Sequence, residues 1–570
     1  MIELDPSIPP IDYIVEGEGD KVKAELDIRN NDRVRVGDQR IATLDDNSRI
    51  VLVVTGFEYA TKYDNMAARR TAAMREGAVG EPETRTAKEV YQRKLAIMRV
   101  EGEIRTDGKI VRGALRLPEK MSPAEPMPEE LLEQFTVDPE GDVVLGNLSL
   151  NSRTIGRAAR ISHNFAGDRM VIFGMPGKGK SQKVRELLGQ LLGADHKIGI
   201  LVLDRAGEYV EDTEDQKGNK VFGFQHHPNA PDRMVVVSRR AQFKESAEKG
   251  AIAGHLVPQF NIRDIEPIDL IDWYRGFTKV QQDLLRDYAY VLDLYEKLLQ
   301  ETRFGMVDKR DWYQHFPGLF EIDDKGRKLL REFEEAAANE DRYQLEPHEL
   351  DSLEGHLKGF KKDVLERAIQ GIKRFAGNPY FGGHHRAPAI LNAPSCVDEV
   401  LADLRDGKAV FIDLRGVEDD DYTLISAIFA RKLLTHNKRV PDSDQIRACM
   451  VMEEAHNILA EAELYKGYGN GSVFVELARE GRKLKLGFVL VTQQPDPQRS
   501  LASEIANTID VIIAFNMPPE NARYLARLNS GFSGRELWLA NAAEFEGIAV
   551  AGGGALAFTS RPVGPPYMTA

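Results

Sequence analysis

The spacing of apolar residues divides the chain into a β-rich beginning and a longer α/β part. Residues 21–60 alternate polar and apolar positions between Asn-Asn, Gly-Asp and Asp-Asp-Asn turns. This pattern predicts short strands with one buried face, and several of them in succession favour a small barrel. Polar, Ala- and Arg-rich sequence interrupts the strands at 61–94, strand character returns at 95–118, and a Pro-rich boundary follows at 119–130.

From about residue 141 the apolar residues occur in continuous runs instead. Residues 168–193 spell a strand, a Gly-rich loop and a helix, and the run at 197–210 is a strand that ends in Asp204. Continuous apolar strands are typical of a parallel sheet that is covered on both faces. The same pattern returns in "AVFIDLRG", "RACMVMEEAHN", "KLGFVLVTQQP" and "VIIAF".

A mostly helical block separates the two groups of sheet strands. Its apolar positions within 284–299 fall on one helical face, as expected for ordinary core packing. We therefore expect an insertion that splits one α/β domain. The predicted division is an N-terminal β-barrel at 1–140, the first part of the core at 141–261, a helical insertion at 262–384, and the second part with the C-terminal segment at 385–570.

Composition narrows the class of protein. The 570 residues are 42% apolar and 29% charged, as in a soluble globular protein, and the net charge of -14 argues against a surface coated in positive charge. A local basic channel inside an acidic assembly is still compatible with that total. Cys396 and Cys449 lack metal spacing, and no run of about 18 apolar residues occurs. We expect a cytoplasmic protein without a membrane span.

The motif "GMPGKGKS" predicts a nucleotide site. Glycines let successive backbone N–H groups point at phosphate oxygens, and the following helix adds its positive N-terminal end. Lys180 would reach the β- and γ-phosphates of ATP, and Ser181 would hold Mg²⁺. The residues expected to bind the nucleotide are Gly174, Pro176, Gly177, Lys178, Gly179, Lys180, Ser181 and Gln182.

Two strands compete to supply the acid that such a loop needs. "AVFIDLRG" ends in Asp413, whereas "CMVMEEAHN" ends in Glu453 and Glu454. A single acid supports the metal, while a pair can also provide a general base. We therefore expect Glu453 to face the Mg²⁺ shell through water and Glu454 to be the base, with Asp413 structural. The alternative is that both glutamates only complement a helix N-terminus.

The motif order resembles a known family. "EEAH" is a near miss of the Asp-Glu-Ala-His helicase signature, but that class keeps its motifs closer and has a second RecA-like domain. In contrast, "GMPGKGKS", "LVLDRAGEY", "VMEEAHN", "AREGRK" and "VTQQP" occur here in the order found in the HerA group of HerA–FtsK ATPases. The resemblance implies a RecA-like core, preceded by a small barrel and forming a homohexameric ring. The ring would hydrolyse ATP and translocate double-stranded DNA.

The same resemblance assigns roles to single residues. It makes Glu454 the catalytic acid, Gln493 a polar sensor, and Arg482 an arginine finger for the neighbouring subunit, with Arg479 as the alternative. Asp204 and Glu208 match an acidic stretch of the family, without a defined role. The chain departs from the family pattern at Arg205-Ala206, at Gln494 and at Met175-Pro176 in the phosphate loop.

Three functions remain open from the sequence. The first is a DNA translocase or helicase that works with a nuclease, either of the NurA type in DNA repair or a sirtuin-like or other effector in antiphage defence. The second is an ATP-regulated hexameric scaffold that controls such a nuclease or an NAD-consuming effector. The third is a conjugation or secretion motor. Lys466, in "YKGYGNGS", is a candidate contact for DNA phosphates or part of a plain surface loop.

Overall fold

The computed structural model describes most of the two predicted sheet regions. The described residues are 12–27, 33–61, 92–113, 116–136, 141–150, 153–193, 197–214, 218, 220–260, 264–265, 321–322, 357–358, 395–459, 473–496, 501–552 and 554–560. Most of the predicted helical insertion, including its two boundaries, lies outside them, as does Lys466 with its loop. Within this described part of the chain, no helix is both long and apolar enough to span a membrane.

The N-terminal region forms a sheet of seven strands in the order β1-β2-β5-β4-β3-β7, with β6 paired to β5. The strands are β1 (Tyr13–Glu18), β2 (Lys21–Glu25), β3 (Gln39–Thr43), β4 (Arg49–Thr61), β5 (Gln92–Ile104), β6 (Ile110–Arg112) and β7 (Glu125–Pro126). Backbone hydrogen bonds between Ile14 and residues 121–122 join β1 to the segment that leads into β7. The two edges of the sheet therefore meet, as a closed sheet requires.

The alternation expected for residues 21–60 and 95–118 is present only in part, because Val51 and Val53 of β4 are as fully buried as their neighbours on the other face. Ile50, Leu52 and Val54 of β4 pack in one cluster with Ala96 and Met98 of β5. The cross-strand pairs between β4 and β5 extend along both strands, with two irregularities in register. A helix, α1 (Glu129–Thr136), follows the Pro-rich boundary and adds Leu132 and Phe135 to a smaller cluster.

The second sheet has twelve strands in the order β15-β14-β18-β11-β19-β20-β10-β21-β22-β23-β8-β9. These are β8 (Val143–Leu150), β9 (Arg153–Ile161), β10 (Arg169–Phe173), β11 (Gly199–Asp204), β14 (Met234–Val237), β15 (Gly254–Leu256), β18 (Ala409–Asp413), β19 (Ala448–Met452), β20 (Leu486–Thr492), β21 (Val511–Phe515), β22 (Glu546–Ala551) and β23 (Gly554–Thr559). The strands from β15 to β21 in this order are parallel, and the remaining four pair antiparallel. Two short antiparallel pairs, β12 (Thr213–Glu214) with β13 (Lys220–Val221) and β16 (Glu321–Ile322) with β17 (Leu357–Lys358), lie outside this sheet.

Helices cover the parallel part of the sheet on both faces, which explains its continuous apolar strands. Residues of β10 alternate between two clusters: Val171 and Phe173 belong to one, and Met170 and Ile172 to the other. The helices are α2 (Lys180–Gly193), α3 (Ala230–Arg233), α4 (Ala241–Glu248), α5 (Val397–Arg405), α6 (Asp419–Arg439), α7 (His456–Leu459), α8 (Val473–Glu480), α9 (Ser503–Ala506), α10 (Pro519–Leu528) and α11 (Glu536–Asn541). Helix α2 contributes to the second cluster and α6 to the first.

The expected parallel α/β core is confirmed, and its strand order is that of a RecA-like core. The strand before the phosphate loop, β10, is separated from the glutamate-bearing β19 by a single strand, β20. The hairpins β8–β9 and β22–β23 were not predicted as part of this sheet. They extend it on the β21 side, where β23 pairs with β8 through Phe558 and Leu148. Sequence from before the phosphate loop and from the C-terminal end is therefore joined in one sheet.

Candidate nucleotide site

The phosphate loop joins the carboxyl end of β10 to the start of α2. Gly177 and Gly179 have φ angles of 71° and 115°, in the left-handed region that side chains disfavour. A side chain at Gly179 would also meet neighbours, because its Cβ would lie 3.1 Å from Phe545 Cδ1 and 3.3 Å from Phe515 Cε1. The motif glycines are thus required both by backbone conformation and by the close approach of two aromatic rings.

Lys180 begins α2 and turns back over this loop. Its Nζ donates a hydrogen bond to Gly174 O at 2.6 Å. Burial lowers the pKa of Lys180, while the nearby carboxylates of Glu454 and Glu453 act in the opposite direction. Ser181 and Gln182 follow in the first helical turn and are half-buried. The predicted phosphate-binding residues therefore form one continuous element, directed at the same edge as the two glutamates.

Glu453 and Glu454 follow β19 directly but have different surroundings. Glu453 is buried, with 6% of its surface exposed, whereas 41% of the Glu454 side chain is exposed. Glu454 has a φ of 47°, a conformation that costs a non-glycine residue about 1–3 kcal/mol and that recurs at functional sites. The left-handed turn thus leaves one carboxylate inside the protein and the other at the open edge of the sheet.

Two buried tyrosines hold Glu453. The Tyr209 hydroxyl donates to Glu453 Oε1, and the Tyr422 hydroxyl donates to Glu453 O at 2.7 Å. Burial raises the pKa of Glu453 to about 8, and the neighbouring Asp204 adds to this shift. The hydrogen bond from Tyr209 acts against the shift because it favours the ionised form. Neither tyrosine was singled out in the sequence, although Tyr209 lies in the motif "LVLDRAGEY".

Asp204 explains how Tyr209 reaches Glu453. The Asp204 carboxylate accepts hydrogen bonds from three successive backbone N–H groups, of Gly207 at 2.7 Å, Glu208 at 3.1 Å and Tyr209 at 3.2 Å. Such bonds fix the turn that follows β11. Burial raises the pKa of Asp204 to about 7. The acidic stretch without a defined role in the sequence therefore holds a loop, and that loop presents a hydroxyl to a glutamate.

Gln493, which the family resemblance makes a polar sensor, lies beside Glu454. It follows β20 directly, and its Nε2 donates to Glu454 Oε2 at 3.4 Å. His456 Nδ1 lies 3.3 Å from the same oxygen, a contact that no sequence pattern indicated. Because β20 lies between β10 and β19, Gln493 is inserted between the phosphate loop and the glutamates.

Asp413, the competing acid, is occupied by other groups. Arg415 donates to both of its oxygens, at 2.8 and 2.9 Å, and Ser238 Oγ donates to Oδ2 at 2.9 Å. Strands β11, β19 and β20 separate β18 from β10. This environment agrees with the structural role expected for Asp413.

Arg482 is not brought to the phosphate loop of its own chain. It precedes β20 and therefore lies at the opposite edge, where the parallel strands begin. Its guanidinium group lies 3.5 Å from Asp168 Oδ1 and 3.6 Å from Asp510 Oδ1, with 64% of the side chain exposed. Arg479 is also exposed, in the last turn of α8. Neither arginine can act on a nucleotide in its own subunit from this position.

Residues 145–433, just over half of the chain, match the family described as Helicase HerA, central domain. The chain belongs to the HerA family of P-loop ATPases. The "DNA double-strand break repair helicase HerA" of Sulfurisphaera tokodaii is 22% identical over 357 residues, which are 61% of this chain and 62% of that relative. The HerA-type resemblance seen in the motifs is thereby confirmed.

Solved structures of a conjugative coupling protein and of VirB4 are also similar to this HerA family member. The unbound bacterial conjugative coupling protein TrwB is 12% identical, with a TM-score of 0.43 over 74% of this chain and 95% of that one. TrwB in complex with ADP and Mg²⁺ is 13% identical, with a TM-score of 0.40 over 77% of this chain and 93% of that one. VirB4 of Thermoanaerobacter pseudethanolicus is 13% identical, with a TM-score of 0.36 over 76% of this chain and 99% of that one. Because these TM-scores are below 0.5, the fold assignment rests on strand order and the family match.

Proposed function

We propose that this HerA family member is a ring-forming ATPase that uses ATP and Mg²⁺ to move double-stranded DNA, together with a nuclease partner in DNA end processing or antiphage defence. The observation that carries the proposal is the hydrogen bond between Gln493 and Glu454 at the edge where Lys180 also lies. A carboxylate held by an amide beside a phosphate loop is suited to orient and polarise a water molecule.

Each residue of the site has a distinct task in this proposal. Lys180 neutralises charge on the β- and γ-phosphates, and the loop amides hold the remaining phosphate oxygens. Ser181 and, through water, Glu453 would hold Mg²⁺, which would supply charge neutralisation at the phosphates. Glu454 takes the proton of the attacking water, and Gln493 keeps that water in line. The open position of Glu454 supports its role as the base.

The position of Arg482 is the argument for a ring in this proposal. An exposed guanidinium at the edge opposite the phosphate loop is placed to act on a neighbouring subunit and not on its own nucleotide. A cation supplied in trans neutralises the charge that develops at the transferred phosphoryl group and makes hydrolysis depend on assembly. The homohexamer expected from the sequence satisfies this geometry if every subunit offers its Arg482 edge to the next loop.

Double-stranded DNA and a nuclease enter the proposal through the family. The Sulfurisphaera relative is named a double-strand break repair helicase, but this chain spans only 62% of its length. The net charge of -14 requires that any DNA contact be local, such as a basic lining of a central channel. The phosphates of the duplex would be contacted without regard to sequence.

The proposal is tested by measuring ATP hydrolysis with and without linear duplex DNA, and displacement of a third strand from a triplex substrate. We expect duplex DNA to stimulate hydrolysis, and Lys180→Ala to abolish both hydrolysis and displacement. Lys249→Ala is the matched control, because it makes the same substitution at an exposed lysine outside the nucleotide site. A rate of ATP hydrolysis that is the same with and without duplex DNA, together with no strand displacement, would contradict the translocase hypothesis. It would favour the hypothesis of an ATP-regulated scaffold.

A further inference from the structure

Two carboxylates flank the exposed Arg482 at the amino edge of the parallel sheet. Asp168 precedes β10 and Asp510 precedes β21, so they belong to neighbouring strands. Their Oδ1 atoms lie 3.5 and 3.6 Å from different terminal nitrogens of the same guanidinium group. The planar fork of an arginine contacted from two sides has fewer orientations open to it than one with a single partner.

The Asp168 carboxylate is itself fixed in place. Its Oδ2 accepts from Asn164 N at 2.8 Å, and its backbone N donates to Asn164 O at 2.8 Å. Its Oδ1 is buried and makes no hydrogen bond among the described residues, so Arg482 is the charged group that it faces. A buried carboxylate oxygen is costly to leave unsatisfied, which favours keeping the guanidinium nearby.

Asp510 is fixed to the first residue of β10. Its Oδ2 accepts from Arg169 N at 3.0 Å, and its own N donates to Arg169 O at 2.9 Å. The positions of both carboxylates are therefore tied to the amino end of β10. Only the Arg482 side of each pair is largely exposed, so the two carboxylates are fixed groups that can orient a side chain reaching into solvent.

The other end of β10 carries the phosphate loop. The strand is paired with β20 along its length and with β21 over four residues, so it is a continuous paired element between the two edges of the sheet. Phe173 is followed by Gly174, whose carbonyl oxygen accepts a hydrogen bond from Lys180 Nζ. At roughly 3.3 Å per residue, five residues separate the two edges by about 16 Å.

We propose that Asp168 and Asp510 are positioning residues that aim Arg482 at the neighbouring subunit and couple its aim, through β10, to the subunit's own phosphate loop. This inference rests on the proposed function, because it requires a ring in which Arg482 acts in trans. It makes each finger depend on two acids of the same chain that touch no nucleotide.

The test is a double-mutant cycle on ATP hydrolysis by the full-length protein. Asp168→Asn and Asp510→Asn keep the shape of each side chain and an oxygen that accepts from Asn164 N or Arg169 N. We expect each to lower kcat roughly tenfold, with the KM for ATP changed less than twofold. In the Arg482→Ala background they should lower kcat no further. Asp406→Asn is the control, an exposed acid that precedes β18 at the same edge and should leave kcat unchanged.

The outcomes separate this inference from the proposed function. If the Asn variants lower kcat as much in the Arg482→Ala background as in the wild type, the acids act independently of the finger and the inference is overturned. Wild-type kcat in the Asp168→Asn/Asp510→Asn double variant overturns it as well. Wild-type kcat in Arg482→Ala would instead refute the trans finger of the proposed function, and with it the premise of the inference.

Discussion

Removing the Tyr209 hydroxyl tests whether Glu453 must be held in place. The hydroxyl donates to the buried Oε1 of Glu453, which would be ionised when it helps to hold Mg²⁺, so Tyr209→Phe would then remove a hydrogen bond to a charged group and add no bulk. Such bonds contribute about 1.5–3 kcal/mol. About 1.4 kcal/mol corresponds to a tenfold change in a binding constant. If Mg²⁺ binding depends fully on this hydrogen bond, Tyr209→Phe should therefore raise the half-saturating Mg²⁺ concentration roughly 10- to 100-fold.

Tyr422→Phe is a matched control for this measurement. It removes an equally buried hydroxyl from the same glutamate, but one that donates to the backbone carbonyl at 2.7 Å and not to the carboxylate. We expect it to lower thermal stability, by about 1 kcal/mol for a neutral hydrogen bond, and to leave the Mg²⁺ requirement unchanged. The assay is steady-state hydrolysis at saturating ATP over a Mg²⁺ titration. Equal Mg²⁺ curves for both variants would refute a positioning role for Tyr209.

Two further predictions concern charge inside the core. Burial raises the pKa of Glu453 from its ordinary value of 4.5 to about 8, so the fold favours the protonated form and loses that stability as pH rises towards 8. Without Mg²⁺, Glu453→Gln should therefore gain in melting temperature over the wild type between pH 5 and 8, and a constant difference would contradict the shift. Lys183 is fully buried, donates to Leu145 O and faces Glu186. Lys183→Met should lower the free energy of unfolding by about 3–5 kcal/mol, because it leaves the Glu186 carboxylate without its partner. Adding Glu186→Gln should recover much of this loss in thermal unfolding. No recovery would show that the pair does not account for the loss.

The sequence predicted the parallel core well because each strand carries its own signal. The apolar runs at 169–173, 199–204, 409–413, 448–452, 486–492 and 511–515 are all strands of one sheet. The polar residues that end them fall at one edge because parallel strands share a direction. Glu454 and Gln493 both follow strands of this sheet, so the strand ends place them at the same edge but do not predict their contact.

The contacts that organise the site could not be predicted in the same way. The pairing of Tyr209 with Glu453, and of Tyr422 with the same residue, joins segments that are distant in the chain and have no fixed spacing. The Asp204 turn depends on three backbone N–H groups, which a sequence does not distinguish. The β22–β23 and β8–β9 hairpins contain Gly and polar residues, which weaken their strand pattern.

The two edges of the parallel sheet have complementary chemistry. At the carboxyl edge, Lys180 of the phosphate loop lies near two glutamates, and Glu453 is held by tyrosines from the turn after β11 and from α6. At the amino edge, acids at the starts of β10 and β21 surround an exposed arginine. Under the proposed trans role of Arg482, each subunit would carry both halves of a phosphoryl-transfer site, on opposite edges of one sheet. In such a ring, β10 would link the phosphate loop of each subunit to the arginine edge that meets the neighbouring loop.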